Sequence, residues 1–314
     1  MAIFRHSFRT LNNLKDPIDL APDEMTVAQN VDLHNDGATI SLRPGRVSSL
    51  AGTPHSLWAT EDESQAYFCE DSVLKRFWPD GTATTLTTLS TDALVEFEEV
   101  NNIIVYTNDT DYGYIQDGST GSFAAPTTQF KIAPPAGRFL ALYNGRLFVL
   151  ADEGLYYLDP YTADQMDERN CLIPLRGQPK MLKAVDDGLW VSKGDTTVFL
   201  RGGNPEEFKY DEIDSAPAIA GTAVRTLGKK IGRDAASHYV LWASEHGLCL
   251  GGNGGSFNNL TEEYLAVKPS QQGAGVLREY AGRVHYLAVL QDTGTEHNQF
   301  IDPDITVDSQ TTGG

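Results

Sequence analysis

Short stretches of alternating apolar and polar residues run along most of the chain, separated by turns rich in Gly, Asn and Asp. An alternation with a period of two, in β-branched and aromatic residues, predicts strands with one face in a core. The clearest case joins residues 145–150 to 155–160 through a turn at 152–154. The pattern therefore predicts an all-β protein built from hairpins.

Six such strand pairs recur at nearly regular intervals. They cover residues 65–69 with 72–78, 102–106 with 113–115, 145–150 with 155–160, 188–192 with 197–200, 238–243 with 248–252, and a sixth that starts at 283–289. Measured at Ala66, Ile103, Leu147, Leu189, Val240 and Val284, successive units are 37, 44, 42, 51 and 44 residues apart. A period of about 40 to 50 residues with several strands per unit is typical of propeller blades.

Several units also have an apolar lead-in strand, such as 179–184, and a trailing strand, such as 82–86. We therefore predict a β-propeller of about six four-stranded blades over residues 51–292, or five if the weak second unit or the sixth does not close. Because residues 292–297 are polar, we expect residues 38–42 to complete the terminal blade, since an open sheet edge must be paired. Residues 293–314 form a C-terminal arm or tail, either disordered or paired with a neighbouring subunit.

Residues 1–50 precede the repeat and divide into three parts. An extended arm spans 12–22, and a short helix is expected over 23–29, with acidic residues in its first turn where the helix dipole favours them. A hairpin follows, with strands 31–33 and 38–42 around Asn35-Asp36-Gly37, which can supply the positive φ of a tight turn. Arg43-Pro44-Gly45-Arg46 ends it.

This N-terminal pattern resembles that of bacteriophage virion proteins of the tail and head-to-tail region, of the tail nozzle, hub or tail-tip type, which are built around a β-propeller. The resemblance covers about a tenth of the chain and rests on Asn12, Asn13, Pro22, Asn30, Val31, Asp32, Gly37, Arg43, Pro44 and Gly45. Residues 241–247 and 259–262 also resemble blades of such proteins. The resemblance implies a structural component of a tailed phage particle, in the tail, its tip or baseplate, or the head–tail connector. Such a protein is made in the bacterial host cytoplasm and assembles with other virion proteins as, or onto, an oligomeric ring.

The net charge of −19 opposes unaided binding to nucleic acid or anionic lipid, because Lys and Arg supply most of the affinity for phosphate. It suits a channel wall that must not hold DNA, and equally suits plain solubility. The start MAIFRHSFRT is too polar for a signal peptide, and the lack of an 18-residue apolar run excludes a membrane-spanning helix. Cys69, Cys171 and Cys249 are too widely spaced for a disulfide framework or zinc motif, which favours buried free thiols.

Motifs for chemistry are missing from the sequence. It contains no phosphate-binding loop, no G-x-S-x-G elbow, no H-E-x-x-H and no Cys-x-x-Cys. The histidines show no metal-ligand spacing; they are His6, His34, His55, His238, His246, His285 and His297. We therefore expect no enzyme, no catalytic or metal-binding residues and no cofactor.

Three groups of residues leave alternatives open. Glu96, Glu98 and Glu99 could be the acid/base pair of a propeller glycoside hydrolase, but the alternation favours a solvated strand face. The D-x-D-x-G pattern at 109–113 suggests calcium ligands but is more typical of a turn. The lysines and arginine of 229–233 indicate a solvated loop rather than a phosphate site.

A further class of function is recognition of host-surface glycan by a tail-tip propeller. Trp58, Trp190 and Trp242 could in principle form a sugar platform, but they lie in apolar strands and are expected in the blade core.

Overall fold

The computed structural model of the chain describes residues 10–16, 18–21, 23–26, 31–33, 40–42, 52–60, 62, 64–213, 217–263, 265, 267, 270–280, 283–292, 298–302 and 306–307. Within these residues the strands form six four-stranded sheets and three two-stranded sheets. Three short 3-10 helices accompany them, at Pro205–Glu207, Gly228–Ile231 and Asn253–Gly255. No helix among them has the length and apolar character needed to cross a membrane.

The strands, in chain order, group as follows. Two N-terminal sheets pair β1 (Thr10–Leu11) with β2 (Glu24–Met25) and β3 (Val31–Leu33) with β4 (Ile40–Leu42). Blade 1 contains β5 (His55–Ala59), β6 (Ala66–Glu70), β7 (Val73–Phe77) and β8 (Ala83–Thr88), and blade 2 contains β9 (Glu96–Val100), β10 (Ile103–Thr107), β11 (Tyr112–Gln116) and β12 (Ser119–Gly121). The third two-stranded sheet pairs β13 (Lys131–Ile132) with β17 (Met166–Asp167), which flank blade 3: β14 (Phe139–Tyr143), β15 (Arg146–Leu150), β16 (Gly154–Tyr157) and β18 (Leu172–Pro174).

Blade 4 contains β19 (Pro179–Val185), β20 (Gly188–Lys193), β21 (Thr196–Arg201) and β22 (Lys209–Ile213). Blade 5 contains β23 (Val224–Leu227), β24 (His238–Ser244), β25 (Gly247–Gly251) and β26 (Phe257–Asn259). Blade 6 contains β27 (Ser270–Tyr280), β28 (Arg283–Asp292), β29 (Asn298–Asp302) and β30 (Thr306–Val307). The predicted all-β class and the six four-stranded blades are confirmed.

Tight hairpin turns join strands within the blades where the sequence supplies residues that tolerate positive φ. Asn101 and Asn102 have φ of 49° and 66° between β9 and β10, and Asn144 and Gly145 have 48° and 72° between β14 and β15. Two successive positive values define the turn whose twist matches that of the paired strands. These turns explain why the strand pairs were readable from the sequence.

The apolar residues fill layers between successive blades. One cluster joins blades 1 and 2 and includes Tyr67, Phe97 and Ile104, and another joins blades 2 and 3 and includes Val105 and Leu147. In the middle strand β20 every residue is buried, from Gly188 to Lys193. Blade 2 therefore buries one face against blade 1, through Ile104, and the other against blade 3, through Val105, which is how a propeller covers its sheets.

The chain divides into two compact units, residues 47–212 and residues 1–46 with 213–314. The second unit therefore contains blades 5 and 6 together with the N-terminal segment. Its core joins Leu11 to Ile219, Leu241 and Leu290. The N-terminal segment is thus part of a hydrophobic core and not only an appendage.

Three expectations about the chain ends need correction. Residues 23–26 form a turn and the strand β2 instead of the start of a helix, because Asn12 N–H bonds Met25 O alongside the parallel pairing of β1 with β2; residues 27–29 lie outside the described residues. The hairpin of β3 and β4 exists, with Val31 opposite Leu42, but it is a sheet of its own and does not complete blade 6.

The chain's own C-terminal strands complete blade 6. Strand β29 pairs with β28, and β30 pairs with β29, so residues 298–302 and 306–307 of the expected arm or tail are strands of blade 6; residues 293–297, 303–305 and 308–314 lie outside the described residues. The physical reason is the edge of β28, whose backbone groups need partners that the adjacent polar segment can provide.

Candidate functional site

The segment that carries the phage resemblance is organised around Asn12. Its side chain is 1% exposed, its Oδ1 accepts hydrogen bonds from the Leu14 and Lys15 backbone N–H groups at 3.2 Å each, and its Nδ2 donates to Glu24 Oε1 at 3.2 Å. Asparagine suits this position because one side chain can both accept from the backbone two and three residues on and donate elsewhere. We call residues 10–16, 18–21 and 23–26 the N-terminal anchor.

Glu24 closes the other side of the N-terminal anchor. Its carboxylate accepts from the Ala21 N–H at 2.9 Å and from the Lys15 ammonium at 2.9 Å. The hydrogen bond from Ala21 and that from Lys15 hold the pKa of Glu24 below its ordinary value. The loop between Asn12 and Glu24 is therefore fixed at both ends by side-chain hydrogen bonds.

Two large apolar side chains project from this fixed loop. Leu14 is 49% exposed and Ile18 is 90% exposed. An apolar side chain on a loop that is already ordered loses little further conformational entropy when it is covered by another protein. The N-terminal anchor thus displays two apolar side chains from an ordered loop.

Side chains of one blade bond the backbone of the next in the unit of residues 47–212. Tyr112 Oη donates to Ala163 O and Tyr143 Oη donates to Gly202 O, at 2.8 and 2.7 Å. Lys193, only 3% exposed, donates from Nζ to Ala151 O and Asp152 O at 2.8 and 2.6 Å, and burial lowers the pKa of this lysine. These bonds hold neighbouring blades in one relative position.

Tyr161 is an exposed aromatic residue held by its backbone. It is 72% exposed, has a φ of 61°, donates its N–H to Gly145 O at 2.7 Å and accepts from Asn101 Nδ2 at 2.8 Å. A positive φ is uncommon for a residue other than glycine and persists where the surroundings fix it. The ring is therefore displayed in a defined place on the loop after β16.

The three carboxylates considered as an alternative acid/base pair differ in burial and pairing. Glu96 is a half-buried residue whose carboxylate is paired with the ammonium of Lys183, so the expectation of a solvated face is wrong for this residue. Glu98 is also half-buried and Glu99 is exposed. The Lys183 ammonium therefore occupies the carboxylate that the acid/base alternative would need free for a substrate.

The D-x-D-x-G segment is a turn, as predicted, between β10 and β11. Asn108 Oδ1 accepts from Asp111 N at 2.7 Å, and Asp111 accepts from Ser90 N and Ser90 Oγ at 2.7 and 2.8 Å. Burial acts to raise the pKa of Asp111, but these hydrogen bonds outweigh it and lower the value. Asp109 is directed to Arg138, at 3.9 Å, so the two carboxylates have different partners.

The remaining predicted groups lie where the sequence placed them. Trp190 and Trp242 are fully buried, and Trp58 stacks on Phe97 with ring centroids 5.7 Å apart, so the blade-core interpretation is confirmed. The cysteines Cys69, Cys171 and Cys249 are buried free thiols. Lys229, Lys230 and Arg233 are exposed on and after the 3-10 helix Gly228–Ile231, in agreement with a solvated loop.

One polar cluster in blade 1 was not foreseen. His55 Nδ1 lies 2.9 Å from Ser56 Oγ, and His55 Nε2 lies 3.0 Å from Asp92 Oδ1. Cys69 joins them, since ligand atoms of His55, Cys69 and Asp92 all lie within 4.8 Å of one another. The hydrogen bond from His55, and that from the Ser72 N–H, keep the pKa of Asp92 below its ordinary value.

Two of the three ligand residues lie on adjacent strands of blade 1. His55 and Cys69 are direct cross-strand partners on β5 and β6, 14 positions apart, but the sequence pattern placed Trp58 in a strand without predicting that this strand pairs with 65–69. Asp92 lies in the connection between β8 and β9. No local sequence pattern predicts that this connection passes close to β5. Among the described residues this is the one group of three or more metal-ligating side chains that lie close together; His238, His246 and His285 belong to no such group.

Comparison with known proteins supports the fold and no more. The chain matches no protein-family model and no curated protein sequence. Among solved structures it is similar to virginiamycin B lyase from Staphylococcus aureus, with 13% identity over 83% of this chain and 85% of that one, at a TM-score of 0.50. It is equally similar to a functionally unknown protein from Desulfotomaculum acetoxidans, with 11% identity over 84% and 87% of the two chains, also at 0.50. These neighbours are β-propeller proteins of varied function, so the likeness identifies the chain as a β-propeller and assigns it no activity.

Proposed function

We propose that this protein is a structural component of a tailed bacteriophage virion, in the tail, its tip or baseplate, or the head–tail connector, where it acts by packing against other virion proteins. The observation that carries the proposal is the N-terminal anchor. Asn12, part of the resemblance to phage virion proteins, is also the residue on which the anchor's hydrogen bonds converge. A residue that belongs to the resemblance and also orders the exposed loop supports a role of this segment in assembly.

The rest of the chain supports a scaffold. The bonds between blades from Tyr112, Tyr143 and Lys193 favour rigidity within residues 47–212, which suits a particle under mechanical load. The net charge of −19 suits a surface that passes DNA without holding it. Leu14 and Ile18 supply an apolar contact for a neighbouring copy or another virion subunit.

The proposal is tested by complementation of a phage that lacks its own copy of this gene, followed by mass spectrometry of gradient-purified particles. The wild-type chain is expected in particles at a fixed copy number. The double variant Leu14→Asp/Ile18→Asp should fold but be depleted from particles, because two charges would be buried at the contact. Tyr210→Asp, at another exposed position, is the control and should be incorporated normally. Absence of the wild-type chain from particles would refute the proposal.

A second candidate function is recognition of host-surface glycan, and Tyr161 favours it. Aromatic rings that are exposed and fixed in place are suited to stacking on the apolar face of a sugar ring. Tyr161 meets both conditions, at 72% exposure with its backbone bonded to Gly145 and Asn101. In this case the propeller would be a tail-tip protein.

A glycan array with the purified chain separates the two candidates. Glycan recognition predicts binding that Tyr161→Ala weakens at least about tenfold, as expected for loss of one stacking contact of about 1.4 kcal/mol. Tyr210→Ala, which removes a tyrosine that is 53% exposed in blade 4, should bind as the wild type does. Absence of binding on a broad array would leave the scaffold role alone.

A further inference from the structure

Blade 1 gathers three different metal-ligating atoms at one place. His55 on β5 offers an imidazole nitrogen, Cys69 on β6 a thiol sulfur, and Asp92 a carboxylate oxygen, all within 4.8 Å of one another. His55 and Cys69 are directly opposite in the strand register. Side chains at directly opposite positions leave the sheet on the same side, so the pairing of β5 with β6 brings these two donors together.

Asp92 is brought to the pair by bonds to the connection between β8 and β9. Leu89 N–H donates to Ser72 O at 2.7 Å, Ser72 N–H donates to Asp92 Oδ1 at 2.7 Å, and Val95 N–H donates to Ser56 Oγ at 2.8 Å. The connection is thereby fixed before, at and after Asp92. The third donor is as well positioned as the two on the strands.

Ser56 orients the imidazole from the other side. Its Oγ lies 2.9 Å from His55 Nδ1, and its backbone has a φ of 56°, an uncommon value for serine, beside a β-bulge between His55 and Trp58. Histidine ligands to metals usually have their second ring nitrogen hydrogen-bonded, which fixes the tautomer and the ring plane. Ser56 occupies that position and leaves Nε2 directed at Asp92.

We propose that His55, Cys69 and Asp92 bind a divalent transition-metal ion of the Zn²⁺ class. A nitrogen, a sulfur and an oxygen donor suit this borderline ion, with metal–ligand distances of about 2.0 to 2.3 Å. Binding replaces the hydrogen bond between His55 Nε2 and Asp92 Oδ1 by two bonds to the ion. The neutral imidazole then carries its one proton on Nδ1, which donates to Ser56 Oγ, and a proton held on Nε2 leaves to solvent. The Cys69 proton leaves to solvent as the thiolate forms, because only the thiolate ligates.

Three protein ligands leave one position of a tetrahedral ion for water or a further ligand. Asp92 is 51% exposed at its side chain, whereas Cys69 is fully buried, so the ion would enter from the Asp92 side. This site is independent of the virion role proposed above. It would tie β5, β6 and the connection after β8 together at the start of the propeller.

The test is a titration of the metal-free, reduced protein with Co²⁺, which reports thiolate ligation by an intense near-ultraviolet charge-transfer band and tetrahedral geometry by its visible bands. One equivalent of Co²⁺ should develop both, and Zn²⁺ should abolish both by displacement. Cys69→Ser should lose the charge-transfer band, whereas Cys171→Ser and Cys249→Ser, which change the other two buried thiols, should retain it.

A second variant keeps the test decisive if a substitution at the buried Cys69 disturbs folding. Asp92→Asn changes a half-exposed side chain and retains an oxygen that can accept from the Ser72 N–H, so the fold should be unaffected. It should weaken Zn²⁺ binding at least tenfold in a competition with a chelating dye. The proposal is overturned by the absence of stoichiometric binding to the wild type, or by equal affinity in the wild type, Asp92→Asn and His55→Ala.

Discussion

The carboxylate of Glu96 in blade 2 is paired with the ammonium of Lys183 in blade 4, 87 residues later in the chain. Glu96 belongs to β9 and Lys183 to β19, and both strands pack against β14, the first strand of the blade between them. The side chains are 19% and 20% exposed, so water screens the pair only partly. The pair joins the first strands of blades 2 and 4 across the first strand of blade 3.

Loss of this ion pair should destabilise the protein. We expect Glu96→Gln or Lys183→Met to lower the free energy of unfolding by about 1–3 kcal/mol, between the values for exposed and for buried pairs. The double variant should cost less than the sum of the single ones, because each single variant leaves a half-buried charge without its partner. Urea denaturation measures all three. Glu99→Gln, at an exposed position of the same strand, is the control and should stay within about 0.5 kcal/mol of the wild type; additive effects in the double variant would contradict the pairing.

Asn12 should determine the order of the N-terminal anchor. Asn12→Ala removes the acceptor for the Leu14 and Lys15 N–H groups and the donor to Glu24, with an expected cost of about 1–3 kcal/mol. Trypsin should then cleave after Lys15 several-fold faster, as followed by mass spectrometry. Asp19→Ala changes an exposed side chain of the same loop and serves as the control. Equal cleavage rates in the wild type and Asn12→Ala would show that the side chain does not hold the loop.

Lys193 should stabilise the fold through its hydrogen bonds to two backbone carbonyl groups. Lys193→Met retains the apolar stem but leaves Ala151 O and Asp152 O without the ammonium, which should cost about 2–4 kcal/mol. Lys209→Met at an exposed position is the matched comparison and should be nearly neutral. The measurement is the urea midpoint of each variant. If Lys193→Met is neutral or stabilising, the free-energy cost of burying the ammonium is at least as large as the stabilisation from its hydrogen bonds, which would contradict the prediction.

Alkaline pH should weaken the fold in part through Cys249. Burial raises the pKa of this thiol from 9.0 to about 12. Because the folded-state pKa is the higher one, the stabilisation is complete below the unfolded pKa near 9 and is lost as the pH rises towards 12. The loss approaches about 1.4 kcal/mol per pH unit within that window. Cys249→Ala should show a shallower decline in the free energy of unfolding between about pH 9 and 11; an unchanged slope would exclude this thiol as a contributor.

The repeat could be predicted from the sequence because the turn and strand residues of each hairpin are close together in the chain. The turns at Asn101-Asn102 and Asn144-Gly145 and the apolar strands beside them need no distant information. The pairing of β28 with β29 and the short strand β2 were missed, because polar segments such as residues 298–302 become strands only when an open edge is next to them.

The polar clusters could not be predicted from local sequence patterns either. Glu96 and Lys183, or Asp92 and His55, lie 87 and 37 residues apart, and only the stacking of blades or the path of a connection brings them together. A solvated face was the natural expectation for Glu96 from its own strand. The partner that overrides this expectation belongs to another blade.

Gold-labelled antibody against this chain, applied to purified phage particles and viewed by electron microscopy, tests the virion role most directly. The role predicts label at one end of the tail on intact or opened particles: at the neck for a connector or nozzle part, at the distal tip for a baseplate part. Particles of a phage that lacks the gene provide the control for non-specific label. Wild-type particles that carry no more label than this control, both intact and opened, would contradict the account.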